Sequence, residues 1–204
     1  GEIQIPPSKS MAHRAIMCAS LAKGKSVISN IAYSDDILAT IAGMRALGAS
    51  ITMEKDTVVI EGIQSLPQKP LQVDCNESGS TLRFFVPLFT LSGQPITFLG
   101  RNRLLKRPQG VYQTMFEQQG HRFDQTEQQL IVQGALKAGS YEIDGSISSQ
   151  FITGLLFALP LLEQDSIIHI KPPFESRSYI ELTLQMLKTF GVTAEFQDNH
   201  TLYI

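Results

Sequence analysis

Cysteine is scarce in this sequence: Cys18 and Cys75 are the only two in 204 residues. Two thiols make neither a disulfide framework nor a zinc ligand set. Cys18 sits in an apolar stretch and reads as a buried thiol, which fits a reducing cytoplasm. An excess of charge of one sign is lacking too. Seventeen Lys and Arg against nineteen Asp and Glu leave a net charge of −2, so nothing global favours nucleic acid. His13, His121, His169 and His200 are scattered without metal-ligand spacing, and no metal is expected. His13 is expected on a helix surface. Long hydrophobic runs are absent as well: Phe151 to Leu162 is broken by Thr153, Gly154 and Pro160. That falls short of the roughly 20 residues that span a bilayer, so no membrane partner is expected. No basic-then-apolar leader opens the sequence. No Pro/Gly/Ser-rich linker divides it, which favours one domain over residues 1–204.

What is present is a repeat. Ile60, Val132 and Ile204 close hairpin-like segments 72 residues apart, while Gly48, Gly120 and Gly191 end helical stretches at spacings of 72 and 71. Each unit reads strand, helix, strand, helix, strand, strand. The first strands are expected at 2–5, 71–74 and 141–144, and the units at about 1–62, 63–134 and 135–204. The period is longer than that of most solenoids, so the reading is a closed α+β domain of pseudo-threefold symmetry, three βαβαββ units around buried parallel helices. The first helix of each unit is apolar on every side and belongs in the core, whereas the second helices read as amphipathic.

Each first helix opens on small hydroxyl residues: Pro7-Ser8-Lys9-Ser10, Glu77-Ser78-Gly79-Ser80-Thr81, and Ser146-Ile147-Ser148-Ser149-Gln150. A helix start carries unpaired N–H groups and about half a positive charge, which suits an anion. One such start is ordinary, because Ser is a good N-cap. Three within an internal repeat are expected to converge. Lys9 and Arg14 add cations where the helix dipole disfavours them, so an anion compensating both is the reading there. Arg83 repeats the pattern in the second unit and reads equally well as a structural pairing partner. The stretch Arg101-Asn102-Arg103-Leu104-Leu105-Lys106-Arg107-Pro108 holds four cations and no acid. Charge clusters are ordinarily solvated loops; the sharper reading is a grip on phosphate or carboxylate by Arg forks. Its counterparts are Tyr33-Ser34-Asp35-Asp36 and Glu175-Ser176-Arg177-Ser178-Tyr179, so any site would be asymmetric. Asp35 and Asp36 read as helix-capping acids.

With these residues in view, the chain resembles the enolpyruvyl transferases, and among them the branch whose acceptor is shikimate 3-phosphate. The matching stretches are Pro7-Ser8-Lys9-Ser10 with Arg14, Glu77 to Arg83, Lys106-Arg107-Pro108, Gly145 to Phe151, and Ser176 to Ile180. They follow family order and cover nearly the whole chain. Glu77 and Phe84 depart from the Asn and Pro that many members carry there. The resemblance implies a domain of three βαβαββ units and a second, absent domain facing it. It implies that Lys9, Ser10, Arg14, Ser148, Ser149, Gln150, Ser176 and Tyr179 contact shikimate 3-phosphate. Phosphoenolpyruvate would meet Lys9, Gly79, Arg107 and Gln150, with Lys9 acting in catalysis. It implies no cofactor, a cytoplasmic enzyme, and an isolated chain that does not turn over. Two alternatives stay open: a fragment of the sister enzymes acting on UDP-N-acetylglucosamine, and a phosphate- or nucleic-acid-binding module like the related unit of RNA 3′-phosphate cyclases. The basic loop lacks the aromatic interleaving of single-strand binders.

Overall fold

A computed structural model describes residues 5–204; the strand expected at 2–5 lies, apart from Ile5, outside them. Among the described residues the first unit holds α1 (Lys9–Leu21), β1 (Lys25–Ile28), α2 (Asp35–Leu47), β2 (Ser50–Met53) and β3 (Val58–Glu61). The second holds β4 (Leu71–Asp74), α3 (Gly79–Phe89), β5 (Ile96–Leu99), α4 (Gly110–Gln118), β6 (Arg122–Gln125) and β7 (Gln129–Gln133). The third holds β8 (Ser140–Asp144), α5 (Gln150–Ala158), β9 (Ile167–Lys171), α6 (Arg177–Thr189), β10 (Glu195–Phe196) and β11 (Thr201–Tyr203).

Each unit makes its own sheet. The second and third share one order, β4-β5-β7-β6 and β8-β9-β11-β10, and the first has β1-β3-β2. The leading strand lies parallel to the next (β4 with β5, β8 with β9), because a helix crosses over between them. The closing hairpins are antiparallel and in matching register: Ile51 faces Ile60, and Phe123 faces Val132. Gly48, Gly120 and Gly191 all take positive φ where a helix ends, which only glycine adopts without strain.

The first helices form the core, as their all-round apolar character demands. Every residue of α5 from Phe151 to Ala158 is buried, and α1 is buried from Ala12 to Ser20. The α3–α5 contact is anchored by Phe84 against Phe157, with ring centroids 5.4 Å apart. Tyr112 of α4 pins both backbones from the side, its single hydroxyl proton shared between the Arg83 carbonyl at 2.6 Å and the Phe151 carbonyl at 2.9 Å. Gly154 permits this approach, since a Cβ there would collide with the Arg83 carbonyl and the Tyr112 hydroxyl. α2 is two-faced as expected: it buries Ile37, Ala39, Thr40, Ile41, Gly43, Met44 and Leu47 against α1 and α3 and leaves Asp35, Leu38, Ala42, Arg45 and Ala46 exposed. α6 keeps the expected wet face and buries Ile180, Thr183 and Leu187. No helix among the described residues is long and apolar enough to cross a membrane.

Candidate active site

The starts of α1, α3, α5 and α6 meet at one pocket of about 320 Å3. It is lined by Ser10 and Arg14 from α1, Ser80 and Phe84 from α3, Ser148, Ser149 and Gln150 at the head of α5, and Ser176 and Tyr179 at the head of α6. The convergence expected from the repeat is therefore met. All the residues expected around shikimate 3-phosphate line it except Lys9.

The serines at these starts divide into two kinds. Ser8 and Ser78 cap their own helices, accepting from Met11 N at 3.3 Å and Thr81 N at 3.1 Å. Ser149 and Ser176 hold the N-cap positions of α5 and α6 with no side-chain capping bond. Their hydroxyls stay available to a guest, although Ser149 is nine-tenths buried.

Arg14 is the buried cation of the pocket, only 4% exposed. Its Nε donates to Thr183 Oγ1 at 2.8 Å, Nη1 to the Ser10 carbonyl at 2.9 Å and Nη2 to the Tyr179 carbonyl at 3.1 Å. Three of the five guanidinium N–H groups are so engaged, and two remain. Burial draws its pKa down from the ordinary value, yet guanidinium stays charged at any working pH. Arg14 thus braces α1 against α6 and also presents positive charge to the cavity.

Gln150 spans the two other starts. It donates from Nε2 to Ser80 Oγ at 2.8 Å and accepts from Arg83 Nη1 at 2.8 Å. Arg83 lies over the Phe151 ring, 4.5 Å from its centroid. It is the structural partner its alternative reading described, and it orients Gln150. Arg107 comes to the head of α3: a Cβ on Gly79 would lie 2.9 Å from Arg107 Nη1 and 3.7 Å from Gln150 Oε1. Gly79, Arg107 and Gln150 therefore stand together, beside the shared pocket.

Several expected cations are occupied or turned away. Lys9 pairs with Asp36 at 2.7 Å and stands at a separate, smaller pocket with Pro7, Ser8 and Ser34. The uncompensated cation expected at that helix end thus has a protein partner, and the expectation that Asp35 and Asp36 cap α2 is corrected: Ser34 is the N-cap, accepting from Ile37 N at 3.4 Å, while Asp36 lies in the first turn and holds Lys9. Arg101 pairs with Asp74 at 3.2 Å and Lys106 with Glu127 at 3.0 Å, so most of the basic loop is a solvated surface. Leu104 and Leu105 anchor it in the core. Arg177 binds Glu181 at 2.8 Å and stacks on Phe196 at 4.1 Å, on the far side of α6.

Another expectation fails. His13 is 2% exposed, not on the helix surface. Its Nδ1 lies 2.8 Å from Thr40 Oγ1, and its ring meets Phe84 edge to face at 6.2 Å. Burial lowers its pKa to about 4 against the pull of Asp36. The physical reason is the packing of α2 and α3 over α1, which one-helix periodicity does not reveal. Sequence reasoning also left Ser80, Phe84 and Thr183 out of the site. Ser80 had a signal, since it stands 70 residues from both Ser10 and Gln150; Thr183 in the middle of a helix had none.

A larger cavity lies elsewhere. A groove of about 610 Å3 runs between α4 and the edge strand β8. Its one cation, Lys171, is paired with Glu142 at 2.7 Å, and Asp144 adds negative charge. Volume favours the groove, but buried positive charge and unengaged hydroxyls favour the smaller pocket, and for an anion the chemistry decides.

The fold is that of the enolpyruvyl transferases. A family model described as EPSP synthase (3-phosphoshikimate 1-carboxyvinyltransferase) matches residues 1–204, and the chain belongs to that family. It is 53% identical over 196 residues to a 3-phosphoshikimate 1-carboxyvinyltransferase of Clostridium perfringens, covering 95% of this chain and 46% of that protein. A protein of the same name from Clostridioides difficile is 50% identical over 204 residues, with 94% and 47% covered. The solved EPSP synthase of Acinetobacter baumannii superposes on the whole chain with a TM-score of 0.82 at 22% identity, covering 46% of that protein. The chain spans about half the length of the curated relatives it matches.

Proposed function

We propose that residues 1–204 form a single domain that is the shikimate-3-phosphate-binding half of a 3-phosphoshikimate 1-carboxyvinyltransferase. The observation that carries this is the meeting of four helix starts around the buried Arg14, with two N-cap serines left uncommitted. In this reading Ser148, Ser149 and Ser176 hydroxyls and the first-turn amides hold the substrate phosphate. Arg14, Ser10 and Tyr179 line the remainder of the bound molecule. Phosphoenolpyruvate lies at the head of α3, against the Gly79 backbone and Arg107, with Gln150 between the two substrates. Lys9 leaves Asp36 to join it, a cheap exchange because the pair is half exposed.

The reaction adds the 5-hydroxyl oxygen to C2 of phosphoenolpyruvate while the methylene carbon takes a proton. Phosphate then departs from that tetrahedral intermediate as its C–O bond breaks. The demand on this half is electrostatic: to hold two phosphates and a carboxylate close together in fixed positive surroundings. The acid and base that move the protons come from the other half of the enzyme, which also excludes water. Alone, this half binds without turning over, and its two buried free thiols fit a cytoplasmic setting.

Calorimetric titration with shikimate 3-phosphate and with UDP-N-acetylglucosamine tests the assignment. Binding of the first, at tens of micromolar to millimolar (roughly −4 to −6 kcal/mol), with no heat from the second, is expected. The reverse preference would move the chain to the sister enzymes. Phosphate release at an ordinary enzyme rate from this chain alone would contradict the division of labour.

A further inference from the structure

Beside the pocket runs a line of buried polar side chains that the reaction does not use. His13 Nδ1 lies 2.8 Å from Thr40 Oγ1, Thr40 Oγ1 lies 2.8 Å from Thr81 Oγ1, and Thr81 Oγ1 donates to Ser78 Oγ at 2.7 Å. None of the four residues is more than 2% exposed. They join α1, α2 and α3 and end at the N-cap of the helix that carries Gly79. Valine has nearly the shape of threonine and no polar group to desolvate, so a buried run of hydroxyls needs a reason.

Counting protons gives the line a direction. Ser78 Oγ accepts twice, from Thr81 N at 3.1 Å and from the Thr81 hydroxyl, so its own proton is left to donate. Thr81, having given its proton to Ser78, accepts from Thr40. Thr40 then accepts from His13, which carries its proton on Nδ1. The bare Nε2 is left buried without a partner, and an orphaned acceptor is better tolerated than an orphaned N–H. The neutral ring that this requires follows from its burial. The Asp36 carbonyl, 3.4 Å from Thr81 Oγ1, is the longer of two acceptors for that one Thr81 proton, and the 2.7 Å contact to Ser78 takes it; Asp36 is also the residue that tethers Lys9.

We infer that His13, Thr40 and Thr81 are positioning residues for the phosphoenolpyruvate subsite: they fix the first turn of α3 against α1 and α2 and leave the Ser78 hydroxyl as a donor beside Gly79. This rests on the function proposed above. It implies that the two substrates depend differently on the line, because shikimate 3-phosphate is held mainly at the heads of α5 and α6.

The test titrates this chain by NMR with shikimate 3-phosphate, and with phosphoenolpyruvate in the presence of saturating shikimate 3-phosphate. Thr40→Val should weaken phosphoenolpyruvate at least threefold and leave shikimate 3-phosphate within twofold, and Thr40→Ser should restore the loss. Unchanged affinity for both, or an equal loss of both, would overturn the inference. The second measurement needs no variant: the ring 15N shifts of His13 in the unaltered chain should show a protonated Nδ1 and a bare Nε2. A proton on Nε2 would reverse the line and overturn the inference, even if Thr40→Val does not fold. Should the unaltered chain bind neither substrate, the functional reading fails, and the ring shifts still judge the line.

Discussion

Ser78 and Ser149 hold the N-caps of α3 and α5, and the structure assigns them opposite consequences on removal. Ser78 accepts from Thr81 N, so Ser78→Ala costs α3 its cap, typically ~1 kcal/mol. In a domain of this size that is about 2–4 °C in Tm. Ser149 makes no capping bond, so Ser149→Ala removes nothing from α5 and should leave Tm within about 1 °C by the same conversion. Its cost falls on the ligand. A hydrogen bond to a charged group is worth roughly 1.5–3 kcal/mol, so affinity for shikimate 3-phosphate should drop by about 10- to 150-fold at 1.4 kcal/mol per decade. Thermal melts of the free chain and calorimetric titration separate the two quantities. A Ser149→Ala chain that melts as early as Ser78→Ala and binds unchanged would refute the division into capping and substrate-facing serines.

Gly154→Ala should lower Tm sharply, by at least the 1–3 kcal/mol of an overpacked core, because its Cβ meets the Arg83 backbone rather than a movable side chain; a melt within 2 °C of the unaltered chain (roughly the smallest shift that 1 kcal/mol gives in a domain this large) would contradict the α3–α5 contact. Gly79→Ala meets only the flexible end of Arg107, 2.9 Å away, so it should spare Tm and shikimate 3-phosphate while weakening phosphoenolpyruvate several-fold, read by NMR titration. His13 predicts an acid limb. The folded ring protonates near pH 4 and the unfolded one near 6.5, so its stability contribution is whole above pH 6.5 and lost as pH falls toward 4. The loss amounts to up to about 3 kcal/mol. Urea melts at pH 7 and pH 4.5 should show this decline, and His13→Gln should flatten it.

The fold was readable because the repeat is written in spacing. Gly48, Gly120 and Gly191 mark three helix ends by a backbone need no other residue meets cheaply, and the all-round apolar segment from Phe151 to Ala158 could only be core. The lining of the candidate pocket was readable where chemistry and helix position coincide, as at Ser10, Ser149 and Ser176. It was unreadable where a partner on another element decides. Lys9 looks uncompensated until α2 brings Asp36 to 2.7 Å. Arg107 differs from Arg101 and Lys106 only in the direction the loop gives it once Leu104 and Leu105 are buried. His13 and Thr40 are 27 residues apart on helices whose faces each look ordinary alone. Periodicity reports which way a side chain points from its own helix, not what waits there.

The central claim is that converging helix starts, and not the larger groove, receive shikimate 3-phosphate. Amide shift mapping during a titration tests it most directly. The account predicts the largest shifts at Ser10, Ser149, Gln150, Ser176 and Tyr179, with little change at Met115, Glu142 and Ile143 along the α4–β8 groove. Shifts centred on that groove, or none anywhere at millimolar substrate, would contradict it.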